Sequence, residues 1–302
     1  MDRWQAMRVF VRTAECGSFT GAARGLGMSP PAVTRAVAAL EETIGTRLLQ
    51  RTTRSVRLTE AGQRYLEDCR RILSDIEEAE AAAAGSYATP TGTLTVTASV
   101  QFGRLHVLPV MTEYMARHPG VTLRALFVDR VINMLEEGAD VGIRIGHLPD
   151  SGLMAARVGS VRRVLCAAPA YLARHGAPAA PRDLRDHAVI GSTGIDLLPE
   201  WRFGPERRTV VSLRPRLVCN TVDAALEAAL GGHGIVRLLS YQVAPALAEG
   251  GLALLLEEHE EPPVPVHVVH LGGGRPSAKI RTFVDLAVER LRGNRFLQPA
   301  PP

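Results

Sequence analysis

Lysine is almost missing from this chain: of 35 basic side chains only Lys279 is a lysine, and the other 34 are arginine. Cysteine is sparse as well. Cys16, Cys69, Cys166 and Cys219 lie far apart with no C-x-x-C pair, so zinc-site spacing is absent and the thiols read as small buried hydrophobes. No apolar run reaches the ~18 residues that a membrane-spanning helix needs, which excludes a transmembrane protein. Arg3, Arg8, Arg12 and Glu15 stand where a signal peptide needs an uncharged core, so a cytoplasmic protein is expected. Catalytic signatures are missing too. There is no G-x-S-x-G elbow, no P-loop and no Rossmann glycine fingerprint, and Gly272-Gly273-Gly274 reads as a loop. The nine histidines are dispersed. His267 and His270 sit three apart in a β-prone run, hence on opposite faces, and cannot ligate one metal together. Neither an enzyme nor a metal or other cofactor is expected.

What is present is a folded chain of 302 residues, 46% hydrophobic and 22% charged, long enough for about two domains. Its net charge of +4 is unevenly spread. Residues 1–60 carry nine arginines against five acids, residues 61–88 three against six, and residues 89–302 are nearly balanced. A small, arginine-dense head is the composition of a nucleic-acid-binding module, although ordinary surface can reach the same value.

Hydrophobic periodicity places a helix over Trp4–Ala14, broken at Gly17. Ser18 caps a second, short helix over Phe19–Leu26. Ser29 caps a third, which carries Pro30 and Pro31 in its first turn and stops at Gly45. Leu48–Arg51 and Ser55–Leu58 suggest a hairpin. Thr59 then caps a long helix in which Gly62, Leu66, Cys69, Leu73, Ile76, Glu80 and Ala83 alternate by four and three, an a/d seam weakened by Gly62 and Glu80. Its acidic outer face and Ala-rich end favour a dimer helix over packing on its own domain. A linker is expected over Gly85–Gly92, and a short helix near Val131–Glu137. Beyond residue 90, strand and helix patterns alternate, which reads as α/β with mostly parallel sheets.

Two helices around a tight turn, the second presenting Thr34 and Arg35, followed by a hairpin, make a winged helix-turn-helix. At these residues, "FVRTAECGSFTGAARGLGMSPPAVTRAVAALEETIGTRLLQRTTRSVRLTEAG" over 10–62, the chain resembles the LysR-type transcriptional regulators. The resemblance continues through "TLTVTASVQFGRLHVLPV", "LEEGADVGIRIG", "RRVLCAAPAYLARHG" and "NTVDAALEAALGGHGI", and so covers almost the whole chain. It implies a winged helix-turn-helix over 1–59, a linker or dimerisation helix over 60–88 and an effector-binding domain over 89–302. That domain would be two-lobed and α/β, like the periplasmic binding proteins. Lobe one would span 90–161 and 268–302, lobe two 162–267. It also implies double-stranded operator DNA as partner, a homodimer or homotetramer that bends its promoter site, and RNA polymerase as a further partner if the protein activates.

Many relatives carry Gln-Ser or similar at Pro30-Pro31. Proline removes the Gln–adenine pairing, so base reading falls on Thr34 and Arg35, with apolar contact to thymine methyls from Pro30 and Pro31 or from Ala32. Ser29, Arg51, Thr53 and Arg54 are expected on phosphate or in the minor groove. In the effector domain, Ser99, Val100, Gln101 and Phe102 follow a strand and start a helix, where backbone N–H groups can hold an anion. Asn220 and Thr221 occupy the corresponding junction in lobe two, Ser192 and Thr193 follow another strand, and Arg144 ends the run Val141–Ile145. Each of these could equally be a helix cap or a structural contact. A small carboxylate in the cleft between the lobes is the expected effector. The competing reading is a cysteine-based redox sensor of the same fold, through Cys166 and Cys219; a plain solute-binding module leaves residues 1–60 without a reason.

Overall fold

The computed structural model describes residues 2–51, 56–83, 89–148, 152–193, 200–272 and 276–298. The chain separates into two compact units, Met1–Gly92 and Thr93–Pro302.

In the first unit, α1 (Arg3–Cys16) is capped by the Asp2 carboxylate, which accepts from Gln5 N at 2.6 Å, and ends at Gly17 in the left-handed region. The Ser18 hydroxyl caps α2 (Phe19–Leu26), and the Ser29 hydroxyl caps α3 (Pro30–Ile44). Pro30 and Pro31 are tolerated because the first-turn N–H groups of a helix have no intrahelical acceptor. The wing is β1 (Leu49–Arg51) paired antiparallel with β2 (Val56–Leu58). Phe10, Val33, Val37, Leu40 and Leu48 form the core under these helices, each at most 2% exposed.

The long helix α4 (Glu60–Ala83) is seated on that core. Leu66, Cys69 and Leu73 are buried in it, so this stretch of the heptad seam packs within its own unit and is not open for a dimer. The helix and the three-helix head share a surplus of apolar surface that they bury against each other, which a repeat pattern cannot distinguish from a coiled coil. Of the expected linker, residues 84–88 lie outside the described residues, and Gly92 already begins β3.

The second unit has two five-stranded sheets. Its first part runs β3 (Gly92–Ala98), a continuous helical segment made of α5 (Val100–Phe102), a π-turn (Gly103–Val107) and α6 (Leu108–Arg117), then β4 (Val121–Phe127), β5 (Val141–Ile145) and β6 (Leu153–Val161). The chain then crosses at Arg162 into β7 (Arg163–Ala167), α7 (Pro169–His175), β8 (Val189–Ser192), β9 (Glu200–Phe203), β10 (Thr209–Ser212), β11 (Leu217–Cys219), α8 (Val222–Leu230), β12 (Ile235–Leu239), α9 (Ser240–Ala248) and β13 (Ala253–Leu255). It returns in β14 (Val264–Leu271) and ends on α10 (Ala278–Arg292). Strand order is β4-β3-β5-β14-β6 in one lobe and β11-β8-β12-β7-β13 in the other.

These sheets are mixed rather than mostly parallel. β3 with β5, β8 with β11 and β8 with β12 are parallel, whereas β14 runs antiparallel to β5 and β6, and β7 antiparallel to β12 and β13. The strands that cross between the lobes enter each sheet from the end at which its parallel strands finish, and so must run the other way. Because β14 pairs from Val264 onward, with Val264 opposite Val161, residues 264–267 belong to the first lobe and not to the second. The expected helix at Val131–Glu137 is a single turn, closed by Ala139 N on Met134 O at 2.8 Å. The apolar residues Ile132 and Met134 anchor that turn on the sheet beside Val269, and this contact, not a helical repeat, produced the pattern.

The two crossings lie side by side and are tied by charge. Arg162 reaches both carboxylate oxygens of Glu260 at 3.2 Å, and Glu261, 6% exposed, accepts from Arg237 at 3.2 Å with Arg163 3.6 Å away. Ser240 and Arg162 exchange two hydrogen bonds, which fix the start of α9 at the same hinge.

Candidate functional site

In the first unit five of the sequence-predicted contact residues lie together at the start of α3. Ser29, Pro30, Pro31 and Arg35 are exposed and Thr34 is half-buried, while Val33, Ala36 and Val37 face the core. Ser29 Oγ accepts from Ala32 N at 3.4 Å, which leaves the hydroxyl proton available to an outside acceptor. Arg51 ends β1 opposite Val56; Thr53 and Arg54 lie outside the described residues. The wing is held to the presenting helix by a residue that the sequence reading passed over. Glu41, 7% exposed near the end of α3, accepts from Leu48 N at 2.8 Å and Leu49 N at 3.0 Å. Val56 N donates to Gly17 O at 3.2 Å, so the second wing strand is pinned to the turn between α1 and α2. Together these bonds tie the described wing strands to the end of α3 and to the turn before α2. An acid seven residues before an apolar pair was the available signal, but burial alone turns it into a clamp.

In the second unit, the segment Ser99–Gln101 of the first lobe reaches the second lobe through Gln101. Gln101, 6% exposed, donates from Nε2 to Asp223 Oδ1 of α8 at 3.0 Å, and Arg104 lies 3.7 Å from the same oxygen. Ser99 Oγ and Gln101 Oε1 are buried without a hydrogen-bond partner in the protein, and so is Ser192 Oγ at the end of β8. Tyr241, 3% exposed, also belongs to this region: Gln242 Nε2 donates to its hydroxyl at 3.2 Å, and burial pushes the phenol up to about 12, opposed by the neighbouring Ser99 and Gln242 side chains. Asp129, Arg104, Asp223 and Tyr241 were missed by sequence reasoning. Tyr241 follows a strand-to-helix junction, as Ser99 and Thr221 do, and that was the one signal it offered.

Several expectations change here. Phe102 is fully buried in the lobe-one core, edge-on to Tyr241 at 5.2 Å between ring centroids, and cannot shape a ligand by contact. Val100 N, where an effector carboxylate was expected, already donates to Asp129 Oδ1 at 2.9 Å. The Thr221 hydroxyl caps α8 through Ala224 N at 3.4 Å, while Thr193 and Asn220 are exposed near it, with Thr193 N on Cys219 O at 3.0 Å. Arg144 does not join this group. It projects on the sheet face that carries Met134 and Val269, donates to Ile132 O at 3.4 Å, and is held below the usual guanidinium range by burial.

Beside this region the π-turn places His106 among Phe102, Tyr241 and Phe296, with ring centroids 4.9, 5.3 and 6.1 Å away. Burial lowers His106 to about 4, and the Asn294 amide sits 2.9 Å from its Nδ1, so the ring is neutral at pH 7. The cysteine pair required by the redox reading is not assembled. Cys166 on β7 and Cys219 on β11 are separated by β12 and β8, three strand spacings or ~14 Å, well beyond disulfide reach. Burial pushes the Cys166 thiol up to about 12, which leaves it protonated.

Among the described residues no helix is long and apolar enough to cross a membrane. Two family models match the chain. "Bacterial regulatory helix-turn-helix protein, lysR family" covers residues 4–63, and "LysR substrate binding domain" covers 88–292. The chain is 35% identical over 305 aligned residues to an HTH-type transcriptional repressor of Pseudomonas aeruginosa, covering 100% of this chain and 96% of that one. It is 33% identical to the HTH-type transcriptional regulator CrgA of Neisseria meningitidis, covering 96% and 97%. The solved structure of CrgA aligns with a TM-score of 0.61 at 32% identity over 96% of this chain and 99% of that one. Full-length AphB of Vibrio cholerae aligns with a TM-score of 0.58 at 24% identity, covering 95% and 99%, which supports the fold. A DNA-presenting head and a two-lobed effector-binding domain, both matched over their length, place this chain in the LysR family of transcriptional regulators.

Proposed function

We propose that the exposed start of α3 enters the major groove of operator DNA. Thr34 and Arg35 read base edges, Pro30 and Pro31 offer apolar contact to thymine methyls, and Ser29, Arg51, Thr53 and Arg54 contact phosphate or the minor groove. Two heads related by two-fold symmetry read a pseudo-palindrome with half-sites about one helical turn apart. The chain works in the cytoplasm as a homodimer that pairs into a homotetramer, and it meets RNA polymerase if it activates. Exposed apolar side chains support the association: Leu105, Leu108 and Met115 on the segment leading into and through α6, and Leu217 and Val218 on the edge strand β11.

The effector sits in the crevice between the lobes and shifts the balance between two lobe arrangements, which the linker helices pass to the bound heads. The observation that carries this reading is the set of buried polar atoms without protein partners, Ser99 Oγ, Gln101 Oε1 and Ser192 Oγ, at the strand ends of the two lobes. Buried polar groups are otherwise almost always satisfied, so these atoms are open to partners that a ligand supplies. Thr193, Asn220 and Thr221 line the lobe-two side, while Val100 N is held by Asp129. Footprinting the full chain on the intergenic DNA next to its own gene tests the DNA half: two half-sites are expected, and a single asymmetric one refutes the paired heads. Gln101→Ala tests the other half. It should change the promoter response without changing operator affinity, and an unaltered response removes the crevice as the sensing site.

A further inference from the structure

The chemistry of the crevice is biased toward acceptors. Asp129 places one carboxylate oxygen 2.9 Å from Val100 N, so the first N–H of the helical segment is already matched to a negative charge. Asp223, in the first turn of α8, places a second carboxylate at the opposite lobe, where Gln101 Nε2 reaches it at 3.0 Å. One guanidinium, that of Arg104, lies 3.7 Å from Asp223 Oδ1. The orientation of the Gln101 amide follows from this, because its NH₂ must face the carboxylate. Its carbonyl Oε1 is therefore the atom left buried with no donor. An acceptor in that position calls for an N–H or O–H from the ligand.

An anionic effector would meet two carboxylates at close range, a buried carbonyl it cannot bond, and a helix start whose N–H is already taken. A neutral donor would satisfy Gln101 Oε1 but leave the excess negative charge uncompensated. A cation with planar N–H groups satisfies both. From this geometry, and resting on the reading of the crevice as the effector site, we propose that the effector is a small amine or amidine whose N–H groups bond Gln101 Oε1 between Asp129 and Asp223. Bound there, it bridges the lobes through the same two elements that Gln101 and Asp223 already join. Ser99 Oγ, which can donate or accept, completes the contact set.

The test uses the full chain with acetamidine, acetamide and acetate, three probes of one shape that differ in charge. Binding is measured by thermal shift at matched ionic strength, and the site is located by hydrogen exchange. Acetamidine is expected to bind at least tenfold more tightly than acetate, and to protect the amides of residues 97–104 and 222–226. Asp129→Asn and Asp223→Asn, which keep the shape and remove one charge each, should each narrow that preference, and the double variant should abolish it. If acetate binds as tightly as acetamidine and protects the same amides, the amine inference falls while the crevice reading stands. If none of the three probes protects those amides, the crevice reading itself fails and takes this inference with it. Retention of the preference in the double variant would also overturn the proposal, since the charge would then come from elsewhere.

Discussion

The seating of α4 on the wing turns on Gly62, and Gly62→Ala is the most direct test of it. A Cβ at this position would lie 1.9 Å from the carbonyl oxygen of Leu48 and 2.8 Å from its carbonyl carbon. An ordinary C···O approach is about 3.3 Å, so either the helix or the wing has to move by about 1.4 Å. Leu48 cannot yield easily. It is 1% exposed, its N–H is held by Glu41 at 2.8 Å, and its carbonyl accepts from Thr59 N at 2.9 Å. Loss of two such bonds costs about 2 kcal/mol, and overpacking adds roughly 1–3 kcal/mol. The helix-propensity gain of alanine over glycine returns at most about 1 kcal/mol. The net expectation is a loss of about 3 kcal/mol, which for a unit of this size lowers its midpoint by about 15 °C. Trp4 lies in this unit and Trp201 in the other, so fluorescence in a Trp201→Phe background follows the first unit alone. Operator affinity should fall with the same midpoint. An unchanged or raised midpoint would mean that α4 is not seated on Leu48 as described.

Four further outcomes are expected. Glu41→Ala leaves two buried wing N–H groups unpaired and should cost about 3 kcal/mol by urea unfolding, with Glu41→Gln clearly milder; equal effects would remove the charge-assisted clamp. Arg35→Ala should relax specificity by ~1–3 kcal/mol at one base pair in a binding series over operator variants, whereas a uniform loss would place Arg35 on phosphate. His106 is depressed to about 4 by burial, so below its unfolded value near 6.5 the unfolded chain takes the proton first. Stability should therefore decline as pH falls from about 6.5 toward 4, and His106→Asn should flatten that slope in urea midpoints; an unaltered slope assigns it to other groups. Replacing Cys166 and Cys219 by serine together should leave any peroxide response of the promoter unchanged, and a lost response would revive the redox reading.

Much of this was legible beforehand where the signal is local. Helix starts and stops in the head follow from Ser18, Ser29, Gly17, Gly27 and Gly45, because capping and left-handed residues act on their own neighbours. The strands Val121–Phe127 and Val264–Leu271 were bounded by their own apolar runs. The seam of α4 was a different matter. Leu66, Cys69 and Leu73 repeat as a coiled coil does, and only the position of the three-helix core showed which surface they meet. The turn at Val131–Glu137 likewise borrowed a helical pattern from residues that anchor a loop.

The sequence alone determined the family, the arginine-rich head, and which junctions follow strands and begin helices. Tertiary structure decided what those junctions hold. Phe102 stands in the middle of the strand-to-helix motif, yet the π-turn and Tyr241 enclose it in the core. Arg144 ends a strand at the expected edge, but alternation sends its side chain to the other face of the sheet. Asp129 and Asp223, 94 positions apart in sequence, both come to the ends of Ser99–Gln101, one by a hydrogen bond within its lobe and one across the crevice. No local pattern encodes the pairing of Gln101 with Asp223, 122 positions later, and the charge placed beside Gln101 rests on that contact.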